Sequence, residues 1–170
     1  LEACKKRGIS IGWTGGVNKR SVAEMALGFM LMLSRNLYTT SNQLKNNNNW
    51  NKSGGSLLSG KTVGIIGIGH IGRDLIKLLK PFECKILVND ILDVNVFAKI
   101  NKLVISSKNE IYKNSDLISI HTPHTKETNM MINKEVFSIM KKNAIIINTS
   151  RGNIIDEHAL KQALLNNEIN

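Results

Sequence analysis

The sequence predicts an α/β protein in which one doubly wound parallel sheet carries helices on both faces. Three observations predict it. Short apolar runs alternate with helical patterns over most of the chain. The run TVGIIGIGHIG at residues 62–72 passes from an apolar strand through three glycines into the helical pattern RDLIKLLK. A second apolar run, CKILVND, then ends in an acid, Asp90. Alternation of this kind buries each strand on both faces, which suits a parallel sheet.

Taken in order, residues 1–8 read as the end of a helix, and residues 9–13 as a short strand before a turn at Gly15 and Gly16. From about Arg20 to Leu44 apolar residues recur at helical spacing, at Val22, Met25, Ala26, Phe29, Met30, Leu33 and Leu37. One long helix is expected, N-capped by Ser21 with Glu24 three residues on, and with its Met and Phe stripe in the core. Residues 46–59 are polar and rich in Gly and Ser, which predicts a loop held to the body by Trp50. After Asp90 the expected elements are a weak strand at 103–105, a short helix at 109–114 and a strand at DLISIH. A helix around 133–140, a strand at NAIIINTS and a final helix from Asp156 complete the chain.

The glycines sit at GxGxxG spacing, and each position has a physical task. Gly67 permits the tight strand-to-helix turn, Gly69 lets backbone approach a pyrophosphate, and Gly72 lets the helix pack on the strand. The amides and positive dipole end of the helix that begins near His70 then hold the phosphates. Glycines also gather in ordinary turns, so the order of the surrounding elements matters. Asp90 lies 18 residues beyond Gly72, close to the roughly 20-residue spacing of an acid that hydrogen-bonds an adenosine ribose. Its carboxylate accepts from a 2′-hydroxyl and repels a 2′-phosphate, and Ile91 and Leu92 follow it without an arginine, so NAD is favoured over NADP. The plainer alternative is that Asp90 caps a turn. Ligands of such sheets bind beyond the C-terminal strand ends. His121-Thr122-Pro123 and Asn148-Thr149-Ser150-Arg151-Gly152, each just past a buried strand, should therefore open on the same crevice.

With 170 residues, 42% of them hydrophobic, the chain can bury a single-domain core. The net charge of +10 raises a nucleic-acid partner, but 18 of the 23 basic residues are lysines scattered singly or in pairs, with few aromatics to stack on bases. A solvated surface is the expectation, with no nucleic-acid or membrane partner. Cys4 and Cys84 form no CxxC pair, which points to a reduced, cytoplasmic protein without a zinc site or disulfide scaffold. The apolar stretch MALGFMLML is too short to cross a bilayer, and no signal-peptide pattern opens the chain. The opening LEACKKRGIS has no initiating Met and reads as a piece of something longer.

Four segments in order, GVNKRSVAEMALGFMLMLSRNL, LSGKTVGIIGIGHIGRDL, HTPHTKETNMMINKEVFSIMK and NTSRGNIIDEHALKQAL, resemble the D-isomer-specific 2-hydroxyacid dehydrogenase family. That family includes phosphoglycerate dehydrogenases and glyoxylate or hydroxypyruvate reductases. The resemblance spans nearly the whole chain and implies a Rossmann-type domain that binds NAD. Residues 1–16 would be the tail of a substrate-domain segment and residues 17–170 the NAD-binding domain. It implies phosphate contacts from the backbones of His70 and Ile71 beside Gly67, Gly69 and Gly72, and Asp90 on the adenosine ribose. Thr122 and Pro123 would line the adenosine side, with Thr149, Ser150 and Arg151 along the nicotinamide half. Thr14 matches a family cofactor contact, although Gly15 and Gly16 follow where Pro is common.

Arg151 matches the family's catalytic arginine, whose planar guanidinium suits bidentate capture of a 2-hydroxy or 2-keto carboxylate. Its plainer alternative is a surface ion-pair or helix-entry residue. The family's general acid/base histidine and its glutamate partner would lie beyond Asn170, so this stretch alone is expected to bind dinucleotide but turn over poorly. His121 and His124 could also suggest a metal pair, though no third ligand cluster accompanies them. Family members are usually dimers, and the Met-rich helix face could serve as their interface. The competing functions are an NAD(H)-sensing corepressor-like scaffold and a domain that takes S-adenosylmethionine in place of a dinucleotide.

Overall fold

The computed structural model describes residues 1–47, 49–50 and 54–170, of which the first form a short helix, α1 (Glu2–Lys6), where a helix end is expected. Five strands, β1 (Thr62–Ile66), β2 (Lys85–Asn89), β3 (Val104–Ile105), β4 (Leu117–Ile120) and β5 (Ile145–Asn148), form one sheet in the order β3-β2-β1-β4-β5. All neighbours are parallel. The chain winds outward from β1 in one direction and then restarts at β4 in the other. The crevice of such a sheet therefore opens past the C-terminal ends of β1 and β4.

Strand alternation distributes two cores. Val63, Ile65, Ile86, Val88, Leu117, Ile145 and Ile147 pack with residues of α2 (Lys19–Ser34) and α4 (His70–Leu79). Ile66, Leu87, Ile118 and Ile120 join residues of α6 (Lys108–Asn114), α7 (Lys134–Ile139) and α8 (Glu157–Leu165) on the opposite face. Two glycine-free caps fix helix starts on that face. Ser107 and Glu110 exchange bonds in a capping box at α6, and the Asp156 carboxylate accepts from the His158 and Ala159 amides at α8. On the first face Arg20 of α2 grips the buried Asp74 of α4 with two nitrogens, Nε at 2.9 Å and Nη2 at 3.1 Å.

Several expectations are corrected. The segment 9–13 forms no strand; Ile9, Ile11 and Trp13 are exposed and have no strand beside them. The long helix is two helices, α2 and α3 (Leu37–Asn47), because Asn36 adopts a left-handed φ of 53° between them, a conformation asparagine tolerates better than most residues. Helix α2 starts at Lys19 after Asn18, so Ser21 lies inside it and is not the cap. The expected loop begins later, since α3 runs to Asn47, and residues 48 and 51–53 lie outside the described residues. Trp50 lies along α3 and is 70% exposed, so it does not hold the loop to the body.

The Met and Phe stripe divides. Helix α2 rests on α4 through its small residues Ala23 and Ala26 together with Met30, which leaves Met25, Phe29 and Leu33 exposed, with Leu37 of α3 beyond them. The sequence also hid a helix, α5 (Asn95–Asn101), between β2 and β3. It has seven residues, only Ala98 buried and no side-chain cap on Val94, so neither periodicity nor a capping signal marks it. No helix among the described residues is long and apolar enough to cross a membrane.

Candidate dinucleotide-binding crevice

Three glycines shape the exit from β1, each for a different spatial reason. Gly67 holds φ at +96°, and a Cβ there would stand 2.7 Å from the His121 backbone. At Gly72 a Cβ would run into the Gly67 carbonyl oxygen, so this glycine sets how closely α4 approaches the turn. Gly69 differs: a Cβ there meets nothing within 4 Å. The protein needs no glycine at that point for its own packing, and the open space is what a close ligand would occupy.

Gly69 is also the N-cap of α4 and brings no side chain to cap it. The amides of His70, Ile71 and Gly72 have no intrahelical acceptor by helix geometry, and the dipole adds positive potential at the same point. The first turn of α4 is thus a set of bare donors facing the crevice. The His70 ring lies against Gly15 and Gly16, where a Cβ on Gly16 would come 2.7 Å from its Cγ. That contact brings the segment carrying the exposed Thr14 beside the phosphate turn.

Asp90 closes the far side. Its Oδ2 accepts from the Ile68 amide at 2.5 Å and its Oδ1 from the Leu92 amide at 2.8 Å. The turn-capping role and the crevice role therefore coincide: the carboxylate is fixed on the glycine turn and retains acceptor capacity on both oxygens. Ile91 and Leu92 beyond it are exposed.

Strands β4 and β5 deliver the other wall. Ile120 pairs with Ile66 and with Asn148, so the residues that follow β1, β4 and β5 emerge side by side. Thr122 Oγ1, Thr149 Oγ1 and His121 Nδ1 are all buried there without a hydrogen-bond partner. Buried polar atoms left unpaired are uncommon and point to a group that completes them. His121 Nε2 engages Ser119 Oγ at 2.9 Å, and burial pushes the imidazole down to about 4, so the ring is neutral at pH 7. Sequence reasoning placed His121 near the crevice but gave it no part in the site; its signal is its position directly after four buried strand residues. His124 takes a different partner, Asn129 Oδ1 at 3.0 Å. Pro123 is exposed, and its carbonyl accepts from Thr128 Oγ1 at 2.7 Å.

The loop after β5 is held by Asn148. Its Oδ1 accepts from the Ser150 amide and hydroxyl at 3.0 and 2.7 Å, and its Nδ2 donates to the Arg151 carbonyl at 2.8 Å. Arg151 is exposed, with Nη1 on the Ser150 carbonyl at 2.8 Å and no ion pair among the described residues. Of the plainer readings of Arg151, the ion pair finds no partner among the described residues, whereas the residue does stand at a helix entry, just before the single 3-10 turn Gly152–Ile154. A cavity of about 370 Å³ lies at the opposite end of the strands, lined by Lys61, Asp116, Lys141 and Asn143 among others, and holds none of the motif residues.

These features fit a dinucleotide: bare helix amides for a diphosphate, an anchored acid for a ribose, and unpaired hydroxyls along the strand ends. Residues 27–170 match the family model described as D-isomer specific 2-hydroxyacid dehydrogenase, NAD binding domain. The D-3-phosphoglycerate dehydrogenase of Methanocaldococcus jannaschii is 36% identical over 99% of this chain and 33% of its own length. Among solved structures, the D-lactate dehydrogenase of Escherichia coli superposes with a TM-score of 0.88 at 32% identity, over 99% of this chain and 54% of that one. The D-lactate dehydrogenase of Lactobacillus jensenii, solved with NAD+, gives 0.88 at 30% identity, over 99% and 51%. The chain thus spans a third to about half the length of these relatives. A family model matched over most of the chain and the fold that carries it agree: the chain belongs to the D-isomer-specific 2-hydroxyacid dehydrogenase family and represents its NAD-binding domain.

Proposed function

We propose that the protein carrying this chain is an NAD-dependent oxidoreductase acting on the CH–OH group of a small D-2-hydroxy acid, or reducing a 2-keto acid in reverse. The observation that carries the proposal is the convergence at one end of the sheet of an anchored Asp90, an uncapped α4 N-terminus and an exposed Arg151 that makes no ion pair among the described residues. The chemistry supplied by a nicotinamide bound there is hydride exchange with C2 of the acid. Arg151 would hold the carboxylate through a bidentate fork and so fix C2 against the ring. Thr149 and Ser150 would line the nicotinamide half, and Thr122 and Pro123 the adenosine side, with Thr14 beside the phosphates. His121, neutral and buried, would orient groups in the crevice through Nδ1.

Residues 17–170 would form the cofactor domain and residues 1–16 the end of a substrate-domain segment. A cytoplasmic location agrees with two free cysteines, and a homodimer agrees with the exposed apolar stripe of Met25, Phe29, Leu33 and Leu37. No feature of the chain favours the corepressor-like scaffold over the enzyme. The test is twofold. NADH should bind saturably, and NADH-dependent reduction of a 2-keto acid by the protein that carries this chain should fall roughly a hundredfold or more in kcat/KM in Arg151→Gln, far more than any change in the Kd for NADH. Equal activity in the variant would remove Arg151 from the reaction.

A further inference from the structure

The cofactor-binding turn is held from two sides by opposite charges. Ile68 stands between Gly67 and Gly69, and Asp90 accepts its amide at 2.5 Å while Arg73 Nε donates to its carbonyl at 2.9 Å. Arg73 belongs to the first turn of α4, and its guanidinium carbon lies 4.4 Å from the centre of the Phe97 ring in α5. One nitrogen and one face of the guanidinium are thereby fixed. Its two terminal amino groups have no hydrogen-bond or ion-pair partner among the described residues, and the side chain is exposed. Asp93 lines the same shallow depression, together with Val94, Val96 and Ile100, but its carboxylate accepts from the Asn95 amide and makes no ion pair with Arg73.

A cation pinned this way differs from a surface arginine. Stacking and the Nε bond hold the planar fork in place, so its free donors are presented at one point without much loss of side-chain freedom on binding. Arg73 and Asp90 bond the carbonyl and the amide of the same residue, Ile68, so the fork stands beside the turn that the acid anchors. The residues after Asp90 offer no basic group, and the sequence around it therefore reads as closed to a 2′-phosphate. The fold supplies the missing charge from a different element.

We propose that Arg73 is a specificity-determining residue of the adenosine-ribose subsite: it offsets the repulsion of Asp90 for a 2′-phosphate, so coenzyme preference is a balance between the two residues and not a veto by one. The inference rests on the NAD reading of the crevice. Asp90 still wins in the native chain, because it is anchored and accepts from the 2′-hydroxyl directly. The discrimination against NADPH is then narrower than Asp90 alone would set, and removal of Asp90 exposes a ready phosphate contact.

Titration of the 170-residue chain with NADH and NADPH, followed by nicotinamide fluorescence, tests this in Arg73→Gln, Arg73→Lys, Asp90→Asn and the Arg73→Gln/Asp90→Asn double variant. Arg73→Gln should widen the NADPH-to-NADH ratio of Kd roughly tenfold, the scale of one charged hydrogen bond, and Arg73→Lys should restore part of that change. Asp90→Asn should improve NADPH binding, and the gain should vanish in the double variant. A merely structural brace would weaken both coenzymes equally, and that result, or an undiminished NADPH gain in the double variant, overturns the proposal. Failure of the native chain to bind NADH would overturn the nucleotide reading itself, and this inference with it.

Discussion

Two glycines of one motif separate folding from binding. Gly72 abuts the Gly67 carbonyl, so Gly72→Ala should lower stability by about 1–3 kcal/mol in urea titrations. Gly69 faces open space, so Gly69→Ala should leave the urea midpoint nearly unchanged and weaken NADH at least tenfold; equal effects of the two substitutions would contradict this division. A spacing rule finds both residues but cannot say which serves the chain and which the ligand. His121 adds a pH signature. Its folded value, lowered to about 4 by burial, lies below the ordinary 6.5. Its contribution to stability is therefore fully present above about pH 6.5 and is lost as pH falls through 4. His121→Gln should flatten that part of the stability profile, measured by denaturant midpoints between pH 7 and 4. That Thr122 Oγ1, Thr149 Oγ1 and His121 Nδ1 go unpaired is not legible in the sequence, because whether a polar atom finds a partner depends on neighbouring strands.

Elements that carry a strong local signal were readable, and those shaped by packing were not. The glycine turn, Asp90 after β2 and the capped start of α8 follow from short-range chemistry and sit where the sequence placed them. The α2–α3 break at Asn36 and the weakly capped α5 do not, since tertiary contacts decide both. The join of α2 to α4 gives the sharpest element-scale prediction. The Asp74 side chain is 5% exposed and its partner Arg20 50% exposed. Arg20→Ala should cost about 2–3 kcal/mol, below the 3–5 of a fully buried pair because solvent screens the arginine. Arg20→Met with Asp74→Leu should recover most of that loss, as read by thermal unfolding. Gly64 makes the matching case on the other face. A Cβ there would reach Ile111 and come 2.5 Å from Ser115 Oγ, so Gly64→Ala should push α6 from β1 and lower the melting temperature.

For the whole molecule, the doubly wound order β3-β2-β1-β4-β5 puts every residue singled out by motif at one end of the sheet, although they are spread from Thr14 to Arg151 in the chain. Strand order was not written in any one segment, but alternation of strands and helices with a glycine turn after the first strand restricts it strongly. Met25, Phe29, Leu33 and Leu37 form a stripe that stays exposed among the described residues. If the proposed homodimer forms through this stripe, Phe29→Glu should leave it monomeric in sedimentation equilibrium with NADH binding intact; a native chain that is monomeric would remove the stripe from the assembly. The central claim is that bare helix amides and an anchored acid form a coenzyme site. Isothermal titration of the 170-residue chain with NADH tests it most directly. Saturable one-to-one binding, tighter for NADH than for NADPH and weakened in Gly69→Ala, is the expected result, and an absence of heat at millimolar NADH would contradict the account.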